Sequence, residues 1–314
     1  MSTKIPRTFS ITVPVVVSDA KLAASSVPEP GPADPVAWAS GGNYVVGNQR
    51  HRTTTHRIYE CIQTATGRTV APETDTLYWK EVSATQRWKM FDPMRTVPTV
   101  HTSPLVVDIV PGQRCNAWAL SGVSADAVTV SMIVGVDTVY SKTVVLTRRD
   151  TRSWSDYYFG TFQRLRAAMD NLMPLFSGAT IRFEFTAAAG TVSVGKLVVG
   201  RSYEFGAVEV GGDIDAENYS VIDRSDVDGT VTNLRQRRNL PRNALTVFFN
   251  ATDTDLLLSL RDQLNAVPAV YSGLGNRVAS PWFASHLLYG LYRRFRISPV
   301  SDSIGRLSIE TEEM

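Results

Sequence analysis

Between Thr99 and Arg201 the sequence repeats one pattern. Short apolar runs, PLVVDIVPG, NAWALSG, AVTVSMIVG, TVYSKTVVLTR, TIRFEFTA and TVSVGKLVVG, are each closed by Gly, Ser, Pro or Asp. Runs of this length, rich in β-branched residues and regularly punctuated, predict short antiparallel strands packed as a β-sandwich or jelly roll. One stretch breaks the pattern. Phe162, Leu165, Met169 and Leu172 have helical spacing and precede Pro174, which predicts a helix packed over one end of the sheets.

The flanks read differently. Phe9, Ile11 and Val13 alternate, followed by Val15 and Val17, as in a strand serving as an arm or an edge. The run SSVPEPGPADP that comes next is a linker by composition. Beyond Gly206, VIDRSDVDGTVTNLRQRRNLPRN is polar and turn-rich; LTVFFNA predicts a strand, and TDTDLLLSLRDQLNAV a helix with Leu256, Leu260, Leu264 and Val267 along one stripe. PAVYSG, LLYGLYRRFRISPV and GRLSIETE return to strands. The expected fold class is mainly β and multi-domain. Its expected parts are an N-terminal strand and Pro-rich linker at 1–34, a small three-stranded module at 35–92, a β-sandwich at 93–205 and a β-rich α+β domain at 206–314.

The module is the segment from Pro35 to Val82. A unit of under fifty residues buries little aliphatic surface, so Trp38, Tyr44, Tyr59 and Trp79 must supply its core. Gly47 and Gly67 fall at turns, Pro72 is expected to hold the approach to the last strand extended, and Trp88 with Phe91 closes the unit. This order of rings, glycines and proline resembles the small chitin-binding, type 3 carbohydrate-binding modules. The resemblance implies a glycan site among Trp38, Tyr44, Tyr78 and Trp79. Where that family carries its stacking tryptophans this chain has Ile62 to Thr66, which leaves Tyr78 as the candidate exposed ring.

Composition narrows the function classes. The 314 residues include 43% hydrophobic side chains, enough for real cores, and 32 basic against 30 acidic residues, a balance unsuited to neutralising nucleic acid. Two cysteines, Cys61 and Cys115, make no disulfide framework and are expected as buried free thiols. No run of 18 apolar residues occurs, and MSTKIPRTFS has no apolar signal-peptide core, so neither membrane insertion nor export is expected.

Searches for chemistry return little. There is no nucleophile elbow, phosphate loop or dinucleotide fingerprint. His51 and His56 lie among arginines in RHRTTTHR, which predicts a solvated polar segment, and GGDIDAEN and SDVDG lack the full calcium-loop pattern. No catalytic residue, cofactor or metal is expected. Two arginine clusters remain, Arg235, Arg237, Arg238 and Arg242, and Arg293, Arg294 and Arg296 in YRRFR. On a regular strand Arg294 and Arg296 share a face with Tyr292, opposite Arg293 and Phe295. Arg235, Arg237, Arg238, Arg242, Arg294 and Arg296 are the expected partner-binding residues, through pairing with carboxylates.

Over most of its length the order of features resembles a family of tailed-bacteriophage virion proteins. The markers are WKMFD at 88–92, VYSKTVVL, WSDYYF at 154–159, TVSVGKLVVGRSYEFG, VIDRSDVDGTV, TVFFNA and LLYGLYRRFRIS. The resemblance implies a non-enzymatic structural component of a tail tip, baseplate or short tail, located in the virion and assembled in the bacterial host cytoplasm. Its implied partners are other tail proteins, further copies in a homo-oligomeric ring, and host cell-surface polysaccharide in an accessory role, with no nucleic acid. Two alternatives stay open at this point, a glycan-binding adhesin or receptor-binding protein, and a polysaccharide-degrading enzyme with a targeting module.

Overall fold

The computed structural model of the chain describes residues 7–93, 97–149, 151, 153–188, 190–209, 212–237, 239–278 and 280–314. The protein is mainly β, with 51% strand and 9% helix. Among the described residues no helix is long and apolar enough to cross a membrane. The chain forms two compact units. One comprises Val15–Ala168 and Met173–Val199, and the other Met1–Pro14, Met169–Leu172 and Gly200–Met314. The sequence boundaries at 34/35 and 92/93 lie inside the first of these, and 205/206 inside the second.

In the first unit a five-stranded antiparallel sheet has the order Asp137–Val145, Ala127–Val134, Thr180–Thr186, Leu105–Ile109, Leu22–Ser25. Its central strands alternate as the sequence does. Val128, Val130 and Met132, with Ile181, Phe183 and Phe185, are buried, while Thr129 and Ser131 face outward. A one-residue slip would turn that entire apolar set to water, so the pattern fixes the register. The outer face is pinned by polar rungs, Thr129 to Thr143 at 2.9 Å and a bidentate Arg182 to Asp108 pair at 2.8 and 2.7 Å. The same core takes Trp118 and Leu120 from strand Ala117–Ser121, Met90, and Val27 of the linker. Trp118 meets Phe183 edge to face at 6.3 Å.

The helix expected across Phe162 to Leu172 is not there. The helix lies upstream, at Trp154–Phe159, where the Ser153 hydroxyl accepts from the Asp156 backbone N–H at 3.1 Å and Gly160 ends the turn. Phe162 and Leu172 are both 67% exposed. Hairpin pairing of Thr147 with Arg164 and of Arg148 with Gln163 draws the chain into strands instead. The four residues of strand Ala167–Asp170 are all buried, so the strand shows no alternation by which to distinguish it from a helix.

In the second unit the strand Phe9–Pro14, expected as an arm or edge, is central. It pairs on one side with the strand Lys196–Phe205 from Gly200 on, Phe9 opposite Phe205, and on the other with Ala269–Ser272, Ser10 opposite Ser272. Ser10 and Thr12 are as buried as Phe9 and Ile11, because both faces are covered. The sheet continues through Leu287–Pro299, Ile304–Glu313 and Asn239–Asn250, and the last of these also pairs with Ala207–Val208 and Asp213–Asn218. Gly206 sits where no side chain fits, since a Cβ there would lie 1.6 Å from the Phe248 carbonyl oxygen. Helix Thr254–Gln263 packs on this sheet through Leu257 and Leu260, with Leu264 at its C-cap completing the contact. The expected stripe was one residue out of phase at its start, for Leu256 is 41% exposed and Val267 38%.

Cys61 and Cys115 are free buried thiols. Two outcomes follow from these cores. Phe183→Ala removes a fully buried ring and is expected to cost about 3–5 kcal/mol of stability in denaturant titrations; a loss below about 1 kcal/mol would mean the site is not core. Burial pushes the Cys115 thiol from 9.0 up to about 11. The unfolded chain therefore loses this proton first as pH rises, and stability falls between those two values and levels off above them. Melts of the wild type and of Cys115→Ala across that range are expected to show a smaller decline in the variant.

Candidate functional site

The 35–92 segment contains a three-stranded sheet, Gln49–Arg52, Arg57–Cys61 and Trp79–Ala84, and a two-stranded pair, Gly42–Tyr44 with Ala65–Arg68. Gly47 turns with φ of 89°, whereas Gly67, expected at a turn, lies inside the strand Ala65–Arg68 with φ of 61°. Pro72 lies in a turn, where its carbonyl accepts from the Asp75 N–H at 3.3 Å, so it does not extend the approach to the last strand. Trp38, Tyr44, Tyr78 and Trp79 do come together, around Cys61 and Tyr59. Tyr44 and Trp79 are interior and meet edge to face at 4.9 Å. The Tyr44 hydroxyl donates to the Ala39 carbonyl at 2.6 Å. Trp38 and Tyr78 are half-buried, and each carries a guanidinium, Arg52 at 5.0 Å from the Trp38 ring centre and Arg68 at 4.0 Å from that of Tyr78. Arg68 is fixed by bidentate bonds to buried Asp75 at 2.6 and 2.8 Å, which also push its pKa further upward. A sugar approaching either ring on that face would have to displace a paired cation.

His56 is not in a solvated segment. Its Nδ1 lies 2.9 Å from Glu29 and its Nε2 2.8 Å from Asp19, and the ring stacks on Trp88 at 4.3 Å. Glu29, 7% exposed, also accepts from the Thr85 hydroxyl at 2.6 Å and from the Trp88 indole N–H at 2.9 Å. His51 is buried as well, with Nδ1 2.5 Å from the Pro35 carbonyl oxygen. A cavity of about 350 Å³ beside this cluster is lined in part by His56, Arg57, Trp88, Phe91 and Asp92. With both ring nitrogens facing carboxylates, the imidazolium form can donate to both, and the cluster ties the linker to the module as a clamp. Its acids come from Asp19 and Glu29, too far away in sequence for the local composition around His56 to announce them.

The largest exposed aromatic surface lies elsewhere. The hairpin Thr147–Arg148 with Gln163–Arg164 is crowned by the helix Trp154–Phe159. Trp154 is 79% exposed and Phe159 85%, with Tyr157, Tyr158 and Phe162 also exposed. The Trp154 and Tyr158 rings are nearly parallel, 21° apart with centres at 6.5 Å, and the Arg149 guanidinium lies 5.8 Å from the Tyr157 ring and 5.2 Å from Phe162. A groove of about 620 Å³ is lined by Thr151, Ser153, Trp154, Tyr157 and Tyr158. Exposed rings gathered in one place mark a binding surface, and Trp, Tyr and Arg are the residue types that anchor interfaces. Sequence reasoning used WSDYYF only as a family marker. The signal available was Ser153 three residues before Asp156, the spacing of a helix N-cap, within a run of rings that has no buried stripe.

The arginines divide into paired and open ones. Arg242 bridges Glu217 and Glu312, the latter at 3.2 Å, Arg293 reaches Glu312 at 3.3 Å, and Arg294 meets Glu310 at 3.4 Å. In YRRFR the regular alternation fails, because a bulge lies between Tyr292 and Arg294. The extra residue returns Phe295 to the face of Tyr292, where the two rings meet at 5.6 Å on the core, and leaves Arg294 and Arg296 exposed. Charge is thus sorted by face there. Arg235 and Arg237 are exposed, and Arg238 lies outside the described residues. The acidic stretch forms the strand Asp213–Asn218, and Ser225 to Gly229 make a turn in which Thr230 donates to Asp228, holding its carboxyl below the usual range. Among the described residues no group of three or more His, Cys, Asp or Glu side chains could hold a metal ion.

Glu29 is the buried member of the clamp, and removing it leaves the Trp88 indole N–H and the Thr85 hydroxyl without their acceptor, so Glu29→Ala is expected to cost about 1–3 kcal/mol in denaturant titrations. A cost near zero would show the clamp to be incidental. Compared with family models, with curated proteins and with solved structures, the chain matches none.

Proposed function

We propose that this chain is a structural component of a bacteriophage tail, in a tip, baseplate or short-tail assembly, that acts by protein–protein contact and not by catalysis. Residues 35–92 are read as a carbohydrate-module-like domain, 93–205 as a sandwich of jelly-roll type, and 206–314 as a β-rich α+β domain. The placement in a tail rests on the ordered sequence markers from WKMFD to LLYGLYRRFRIS. The docking role rests on one observation, the exposed ring cluster at Trp154–Phe159 beside Arg149. Its rings are already ordered against one another, so a partner's pocket gains their burial at low entropic cost. The exposed arginines Arg235, Arg237 and Arg296 supply charge for neighbours, and further copies in a ring are the natural partners of such a component. The protein works in the virion after assembly in the host cytoplasm.

A second reading follows from the near-parallel Trp154 and Tyr158 rings over a groove bordered by Thr151 and Ser153. Rings so placed can stack on sugar faces, which would make the accessory contact with host polysaccharide a property of this groove and not of the module's buried rings. Trp154→Ala with Phe159→Ala decides between them. Since both side chains are exposed, folding is expected to be unchanged, within about 0.5 kcal/mol. Incorporation of the protein into particles, read by quantitative immunoblot and by antibody-labelled electron microscopy at the tail, is expected to fall at least about tenfold, about 1.4 kcal/mol. Normal incorporation with lost binding on a glycan array favours the second reading, and a wild-type protein absent from the tail overturns the first.

A further inference from the structure

The polar stretch after Gly206, which reads from sequence as loop, is a β-ribbon. Strand Asp213–Asn218 pairs with Asn239–Asn250, Asp213 opposite Ala244 and Asn218 opposite Asn239. The two chains then continue together as Val221–Arg224 and Val231–Arg235, Val221 opposite Arg235 and Ile222 opposite Leu234. The outer half pairs only with itself among the described residues, and Ile222, Leu234 and Val231 on it are 46%, 65% and 51% exposed. A two-stranded ribbon with open edges and bare aliphatic side chains is marginal in water and a template for strand addition.

Two rows of charge on this ribbon match one another. Asp213 and Asp215 stand two residues apart, exposed, on the strand whose other edge is open among the described residues. Arg235 and Arg237 stand two residues apart, exposed, where the outer strand of the arm ends. Asp213 and Asp215 share a face of their strand about 7 Å apart, and Arg235 closes its strand with Arg237 just beyond it, so an acidic row and a basic pair of opposite sign are available for pairing across an edge. They lie at different heights along one ribbon and cannot meet within a molecule. The surface therefore carries both halves of one contact.

We propose that the arm docks its strand Val231–Arg235 against the open edge of Asp213–Asn218 in a second copy of this chain, with Arg235 and Arg237 facing Asp213 and Asp215. Main-chain bonds across the edge supply affinity, and the charge rows set the register. The contact joins two different patches, so it propagates head to tail and closes into a ring when the rotation permits. The inference rests on the reading of this protein as one that assembles with its own copies.

Sedimentation of the purified full chain tests it with three samples beside the wild type. Arg235→Glu with Arg237→Glu makes arm and edge both acidic, and Asp213→Arg with Asp215→Arg makes both basic. Each is expected to weaken self-association about a hundredfold through like-charge repulsion, with circular dichroism and melting unchanged at these exposed positions. An equimolar mixture of the two restores the attractive contact between unlike copies and is expected to recover association. A wild-type oligomer indifferent to both reversals overturns the arm contact and leaves self-assembly standing. A wild type that stays monomeric to its solubility limit, or whose arm is protected only by a different virion protein, overturns the inference, while labelled virions judge the tail reading separately. Failure of the mixture to reassemble also overturns it.

Discussion

Every strand edge in an antiparallel protein must be paired, covered or left to a neighbour, and the disposition of edges organises this molecule. Phe9–Pro14, near the start of the chain, is paired on both sides with segments of very different sequence position, so the second unit closes only when Gly200–Phe205 and Ala269–Ser272 are in place. Pairing of this kind is dominated by non-local contacts, which costs loop entropy before it returns burial. Among the described residues several strands pair on one side only, Asp137–Val145 and Leu22–Ser25 in the first unit and, in the second, Asp213–Asn218 and the outer ribbon beyond it. On the ribbon Asp213, Asp215 and Arg235 set charge beside the exposed aliphatic side chains, which suppresses indiscriminate strand addition while leaving room for a selective one.

The treatment of aromatic rings follows the same division between closed and open surface. In the module Tyr44, Tyr59 and Trp79 are spent on a core that aliphatic residues are too few to make, and arginines roof the half-buried Trp38 and Tyr78. At Trp154–Phe159 no core is served, for no residue of that helix is buried. Rings held at a hairpin tip by one N-cap and an adjacent guanidinium contribute little to the stability of their own unit. Their cost is borne by exposure, and a partner surface offsets it.

Much of the architecture was legible where a strand has one wet face. Ala127–Val134 and Thr180–Thr186 alternate cleanly because one side packs on Trp118 and its neighbours while the other meets water. Legibility fails where that condition fails. Ala167–Asp170 is buried throughout and carries no period, and the bulge before Arg294 shifts the phase by one residue, so a regular-strand reading places Tyr292 on the wrong face. The ribbon at 221–235 is exposed on both faces, and its polar sequence reads as turn. At the site level, the ring set of the module was visible, but not that arginines would cover it. The Glu29–His56 clamp was hidden because its partners are brought together by folding and not by spacing. The aromatic helix stands in plain sight as WSDYYF, but a helix of six residues leaves no periodic trace.

On the function proposed above, the open surfaces at Trp154–Phe159 and along the ribbon from Asp213, and not a catalytic centre, carry this protein's work. Hydrogen–deuterium exchange compares the isolated protein with the same protein in intact particles, and reads the backbone of both candidate surfaces at once. The account requires fast exchange at 147–164 and 213–237 in isolation and strong protection of both segments after assembly, with the cores around Phe183 and Phe9 slow in either state. Equal exchange of those segments before and after assembly, with protection gained elsewhere, would contradict it.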